Sequence, residues 1–390
     1  MSKTLQDYAT LINDTIQSNE INHYITTDNM CQNLGGIDTF KNINIPQGKV
    51  RSFQKDDVLL SNIRLYFRKV YRAKQKGGCS SDVLVFRAKH IDSATLFAIL
   101  SSQIFTDYAC SGSQGSKMPR GNKTHMMNFK IPTINFTIAK IFNSIQNKIE
   151  NNHKINELLH KILELLYEQY FVRFDFLDEN NKPYQTSGGK MKFSKELNRL
   201  IPNDFEVKTL GELITWISGS QPPKSCHIYE HKEGYIRFIQ NRDYSSNDYI
   251  TYIPISKNNK ICYQYDIMMD KYGEAGSVRF GLQGAYNVAL SKISVLNQSM
   301  QEYIRSYLNS KPIKKYLSNA CMASTRSSLN ENHIYSLMLP IPPINLLQKY
   351  EKIAKNIITA IINNNQSTQT LTALRDFLLP LLLKQQVKPQ

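Results

Sequence analysis

The chain has 390 residues, enough for two or three domains that each bury a core. Its 48 Lys and Arg stand against 32 Asp and Glu, a formal charge of +16, which favours a polyanion as partner, nucleic acid first, over an acidic small molecule. No apolar run reaches the length of a membrane span, Met1 to Thr10 lacks the basic start and apolar core of a secretory signal, and six scattered cysteines without a Cys-x-x-Cys pair suit a reducing cytoplasm.

Residues 1–130 read as a mixed α/β domain. Asp57-Val58-Leu59-Leu60-Ser61 reads as a strand and opens a basic stretch, Arg64, Arg68, Lys69, Arg72, Lys74 and Lys76, interleaved with Tyr66, Phe67 and Tyr71. Some of these charges alternate as in a strand and would share one solvated face. Asp82 to Arg87 is a second strand, and Ser93 to Cys110 has helical spacing. A loop of Gly, Ser and basic residues follows from Ser111 to Lys123, with Lys117, Arg120 and Lys123 placed to donate to phosphates.

A long helix is expected from Thr137 to Phe171. Ile138, Ile141, Ile145, Ile155, Leu159, Ile162 and Leu166 fall on one coiled-coil seam, broken by Lys148 and Asn152. Leu347, Tyr350, Ala354, Ile357 and Ile361 keep the same register near the other end, and Leu371, Leu374, Leu378 and Leu381 resume it after the polar patch Asn363 to Gln369. The lead-ins repeat too: Ile131-Pro132-Thr133-Ile134-Asn135 and Ile341-Pro342-Pro343-Ile344-Asn345. Two such stripes predict an antiparallel pair, though each also suits an ordinary amphipathic core helix.

Between them, Phe171 to Asn203 is a polar connector, and a second domain begins near Ile201 that repeats the first in outline. Tyr235 to Ile239 alternates as a strand, Asp266 to Asp270 takes the place of Asp57 to Ser61, Tyr286 to Ile293 that of the second strand, and Gln298 to Leu317 that of the helix. Ala320-Cys321 echoes Ala109-Cys110, and each is followed by a Ser-rich loop with an arginine, Arg120 or Arg326. The expected divisions are 1–130 and 201–340 for the two domains, 131–200 for the central helix with its connector, and 341–390 for the last helix.

The signals of an enzyme acting on DNA fail in turn. Before Gly189-Lys190 the P-loop glycine is Tyr184, and Met191 replaces the magnesium-binding hydroxyl. An amino-methyltransferase loop needs an aromatic after two prolines, but Lys224 follows Pro222-Pro223 and Ile344 follows Pro342-Pro343. Glu230-His231-Lys232 has no acidic partner for a nuclease, and Ile228 after His227 removes the metalloprotease glutamate, so no catalytic residue, metal or cofactor is expected.

At the connector the sequence resembles the specificity subunits of Type I restriction-modification systems. Tyr170 to Phe176, Asn181 to Met191 and Ile201 to Leu213 look like that family's central conserved region, and Gly219-Ser220-Gln221-Pro222-Pro223 like its Gly-Ser-x-Pro element. Lys271-Tyr272-Gly273 and Gly284 to Ala289 resemble motifs of its recognition domains. The resemblance implies an α+β fold with two α/β target recognition domains in a pseudo-two-fold arrangement, separated by two long helices forming an antiparallel coiled coil. It implies a non-catalytic, cytoplasmic prokaryotic protein whose partners are double-stranded DNA, two methyltransferase subunits and restriction subunits, with no membrane. A helix of about 35 residues would be about 50 Å long, so a bipartite, gapped target is expected. Arg64, Arg68, Lys69, Arg72, Lys117, Arg120 and Lys123 are candidate DNA contacts for one half, and Arg237, Lys271, Arg279 and Arg326 for the other. A coiled-coil scaffold or a stand-alone DNA-binding protein are the alternatives.

Overall fold

The computed structural model describes residues 3–38, 41, 43–131, 134–245, 249–322 and 328–383. Pro132, Thr133 and Arg326 lie outside these residues. The chain divides into two compact units, Met1–Lys154 with Gln366–Gln390, and Ile155–Asn365.

In the first unit the unbroken Val-Leu-Leu run of Val58–Ser61 is buried along its length, as a central strand requires. It pairs antiparallel with Val83–Ala88 on one side and Val70–Arg72 on the other, and Ala9–Ile12 adds to the far side of Val83–Ala88. A second sheet is ordered Thr15–Gln17, Lys49–Phe53, Gly77–Cys79, Tyr24–Ile25, its last pair parallel. The helix expected over 93–110 is two, Ser93–Ser101 and Gln103–Ser111. Ser102 breaks it: its Oγ donates to Ile99 O at 2.8 Å and accepts from Phe105 N at 3.2 Å, ending one helix and capping the next.

The second unit repeats this order. Ile214–Ser218, Leu290–Val295, Ile267–Asp270 and Val278–Arg279 form an antiparallel sheet of the same topology about 210 positions along. Ala9–Ile12 is thus the counterpart of Ile214–Ser218. Tyr286 to Ile293 is not one strand but the end of Gly284–Tyr286 and the start of Leu290–Val295. Asn287 turns the chain between them, its Oδ1 accepting from Ala289 N at 3.1 Å. Gln298 to Leu317 likewise splits at Ser310 into Gln301–Asn309 and Lys311–Met322. The connector contains an antiparallel hairpin, Met191–Ser194 with Arg199–Pro202.

Both long helices form: Phe136–Tyr167, prolonged by a π turn at Glu168–Val172, and Ile344–Leu378. Each unit holds an antiparallel portion of the pair. In the first, Gln146 meets Arg375 and Asn152 meets Ser367 and Thr368; in the second, Asn156 meets Asn364 and Asn365 while Tyr170 packs on Tyr350. Of the expected seam, Ile145, Leu347, Tyr350, Ala354 and Ile361 are buried, and Ile138, Leu159, Leu166, Ile357, Leu371, Leu378 and Leu381 half-buried. Ile141, Ile155, Ile162 and Leu374 are instead 43, 43, 48 and 45 % exposed.

The buried stripe runs through Phe142, Ile149, Asn152, Asn156, Leu163 and Tyr167, and Arg375 takes the inward place beside Leu374. Two stripes with heptad spacing coexist on the first helix, and the richer in Ile is not the one covered. The covered one contains Gln146, Asn152 and Asn156, each of which finds a polar partner on the second helix. Asn156 Nδ2 donates to Asn365 Oδ1 at 2.8 Å and its Oδ1 accepts from Asn364 Nδ2 at 2.9 Å. Removing one member leaves a buried group unpaired, at about 1–3 kcal/mol.

Candidate nucleic-acid interface

In the first unit a turn from Ser61 to Lys69 is closed by Ser61 N donating to Lys69 O at 3.0 Å. Its 3-10 segment Leu65–Phe67 is flanked by Arg64 (φ 51) and Arg68 (φ 49), both left-handed. The Ser111 to Lys123 loop is drawn onto this turn. Arg64 N donates to Pro119 O at 2.9 Å and Gly121 N to Asn62 O at 3.1 Å. Gly121 packs closely there, against the ends of the Met126 and Leu65 side chains. Arg64, Lys117 and Arg120 therefore share one surface, with Arg64 Nη2 3.4 Å from Lys117 O and Arg120 paired to Asp82 at 3.0 Å yet 61 % exposed. Lys123 is exposed two residues beyond Gly121, at the start of the helix Lys123–Met127.

Arg68, Lys69 and Arg72 are instead drawn to other partners. Arg68 Nη2 donates to Ser101 O at 3.0 Å, and burial lowers the pKa of its guanidinium. Lys69 Nζ reaches Thr27 O at 2.6 Å and is likewise lowered by burial. Arg72 lies 3.4 Å from Ser93 Oγ and 3.9 Å from Asp56. The left-handed turn sets the directions of Arg64 and Arg68, whereas Arg72 lies on the strand Val70–Arg72.

In the second unit three motifs converge at the end of the sheet. Ser220 pairs with Asn287, and Gly219 lies so close to the Asn287 carbonyl that a Cβ would overlap it. Lys271 N donates to Ala289 O at 2.8 Å, and its Nζ lies 3.4 Å from Ser218 Oγ and 6.0 Å from the exposed Tyr272 ring. Burial lowers the pKa of this ammonium. Leu329 N donates to Lys271 O at 3.1 Å, as Gly121 N does to Asn62 O, so both units return the same loop to the same strand end. Arg237 is half-buried on Tyr235–Ile239. Arg279 is tied to Asp270 at 2.9 Å and to Glu274; burial opposes its charge, but these carboxylates outweigh it and raise its pKa.

The sequence reading passed over Arg242, stacked 5.8 Å over Tyr249 just beyond Ile239, and the exposed Lys260, whose carbonyl accepts from Tyr286 N. Arg242 beside Asp243, and a lysine in a polar loop, carry no periodic signal. Among the described residues no group of three or more His, Cys, Asp or Glu is gathered to hold a metal ion, and no helix is long and apolar enough to cross a membrane.

Residues 202–373 match the model of the family described as the Type I restriction modification DNA specificity domain. The Type I restriction enzyme MjaIX specificity subunit of Methanocaldococcus jannaschii is 25 % identical over 300 residues, covering 74 % of this chain and 67 % of that protein. The MjaVIII specificity subunit of the same organism is 22 % identical over 179 residues, 45 % of this chain and 41 % of that one. The fold matches the crystal structure of a Type-I restriction-modification S subunit from M. genitalium, with a TM-score of 0.63 at 14 % identity, covering 99 % of this chain and 96 % of that one. Over residues 202–373 the chain is thus similar to the Type I specificity domains.

The turns of the two units differ in one respect. The turn in the second unit, Asp270 to Ser277, is one residue shorter than Ser61 to Lys69 and is closed by the same bond, Asp270 N to Ser277 O at 3.0 Å. Its two left-handed positions are Gly273 (φ 74) and Gly276 (φ 86), where the first unit has Arg64 and Arg68. Glycine takes that conformation freely, whereas another L-residue pays about 1–2 kcal/mol. The first unit bears that strain twice to keep two guanidiniums.

Proposed function

We propose that this DNA specificity subunit reads a bipartite, gapped duplex, one half with each unit, and directs methyltransferase and restriction subunits to it. The observation that carries the reading is the repeated turn and loop: the same backbone scaffold presents Arg64, Lys117, Arg120 and Lys123 in one unit and Lys271 with Tyr272 in the other. One scaffold with two sets of side chains suits two different half-sites. Surface cations and loop amides grip phosphate and orient the domain, and the side chains nearest the groove discriminate bases.

The long helices act as the spacer in this reading, and they also offer a docking face. Ile155, Leu158, Ile162 and Leu165 recur at heptad spacing and are 43, 51, 48 and 48 % exposed. An apolar stripe of this kind suits the helices of two methyltransferase subunits. The chemistry then resides in those partners.

The test combines binding and methylation. The purified protein is titrated with duplexes that carry both half-sites at varied gaps, and the same library is then methylated with the methyltransferase partner present. Selective binding at one gap, methylation only with the partner, and no turnover by the protein alone are expected. Equal affinity for every gap and sequence would leave a scaffold, and full selectivity unaffected by any methyltransferase would leave a stand-alone DNA-binding protein.

A further inference from the structure

Asn33 and Leu34 commit all four of their backbone polar groups, and in two directions. Their amides go to the DNA-facing turn, Asn33 N to Phe67 O at 2.9 Å and Leu34 N to Arg68 O at 3.1 Å. Their carbonyls accept from the long helices: Arg375 Nη1 reaches Asn33 O at 3.2 Å, and Gln146 Nε2 reaches Leu34 O at 2.6 Å. Gln146 and Arg375 are bonded to each other at 3.2 Å and are 1 and 2 % exposed. Asn33 (φ 52) and Leu34 (φ 60) are left-handed, as are Arg64 and Arg68. Four strained residues other than glycine thus meet at one junction. Strain of this kind persists only where the surroundings over-determine it, and it gathers at functional sites. Arg68 supplies a second strut, its guanidinium set on the carbonyl end of the helix Ser93–Ser101, where a cation suits the helix dipole.

We propose that Arg68, Gln146 and Arg375 are positioning residues for DNA recognition: Gln146 and Arg375 acting through Asn33-Leu34, and Arg68 through the helix Ser93–Ser101, hold the Arg64 turn in the placement from which it meets its half-site. This rests on the reading of that turn as a DNA contact. Helix pairing alone does not explain the buried Gln146–Arg375 pair, because apolar residues of like volume commonly replace buried ionic groups without loss of stability. What the pair grips does explain it. The second unit shows that the turn itself closes with glycine in place of Arg68, so the arginine is kept for where it fixes the turn.

The same comparison supplies the variant. Arg68→Gly installs the residue that the second unit carries as Gly276, so the backbone is relieved rather than strained. Gln146→Leu, an apolar replacement on the helix, is the second variant. Parent, both variants and Arg64→Ala are titrated with the gapped duplex selected by the parent and with its single-base changes. Each wrong base is expected to cost the parent roughly 5- to 150-fold. Arg68→Gly and Gln146→Leu are expected to shrink that penalty to below about threefold in the half-site that Arg64→Ala also relaxes, while the other half-site keeps its full penalty. Unchanged discrimination in both half-sites overturns the proposal, as does equal weakening of both, which is what loss of fold alone produces. A parent that shows no base discrimination overturns the underlying DNA reading, and the proposal with it.

Discussion

Glu351, on the C-terminal helix of the second unit, accepts from the Glu302 and Tyr303 amides at 2.7 and 3.0 Å, capping the helix Gln301–Asn309. Burial, helped by the neighbouring Glu302, pushes its carboxyl from 4.5 up to about 7, although the two amides and Arg305 favour the charge. A carboxyl raised in this way binds its proton more tightly in the folded than in the unfolded chain. Its contribution to stability is therefore full below the unfolded value, falls as pH rises from 4.5 to 7, and levels off above that. At about 1.4 kcal/mol per pKa unit, the span from 4.5 to 7 is worth at most about 3 kcal/mol. Glu351→Gln keeps the carbonyl acceptor for both amides and removes the titration. The assay is urea unfolding between about pH 5 and pH 8, followed by fluorescence of Trp216, the single tryptophan, which sits in the core of the second unit. The expected result is that the variant gains on the parent by about 2–3 kcal/mol across that range. Parallel pH profiles for the two proteins would refute the reasoning.

Other expectations follow from the interface and the helices. Arg64→Ala should lower the slope of log affinity against log salt by about one if the guanidinium meets a phosphate, or relax one base position by about 1–3 kcal/mol if it meets a base edge; an unaltered titration in both respects removes it from the interface. Gly219→Ala, which drives a Cβ into the Asn287 carbonyl, should displace the Ser220 loop and weaken recognition of the second half-site while sparing the first, measured with duplexes altered in one half at a time. A matched heptad inserted in both long helices should keep both half-site sequences and lengthen the preferred gap by roughly three base pairs, at about 1.5 Å per helical residue and about 3.4 Å per base step. Methylation of a randomised-gap library reads that shift, and an unchanged gap with activity retained excludes the helices as the spacer.

The sequence alone determined what rests on local pattern and on repetition. Continuous apolar runs such as Val58-Leu59-Leu60 name the central strands, heptad spacing names two long helices, and the offset of about 210 residues shows that the architecture is built twice. What it could not determine depends on groups distant in the chain. The heptad pattern allowed two stripes on the first helix, and the polar one is buried because Asn152, Asn156 and Gln146 find partners 208 to 229 residues away. The basic stretch looked like one charged face, but two left-handed arginines turn it, so Arg64 joins Lys117 and Arg120 while Arg68 and Lys69 point into the fold. Periodicity reports which residues prefer to be covered. Only the tertiary structure supplies the partner that satisfies a buried polar group, and that partner decides which stripe turns inward and which cation stays at the surface.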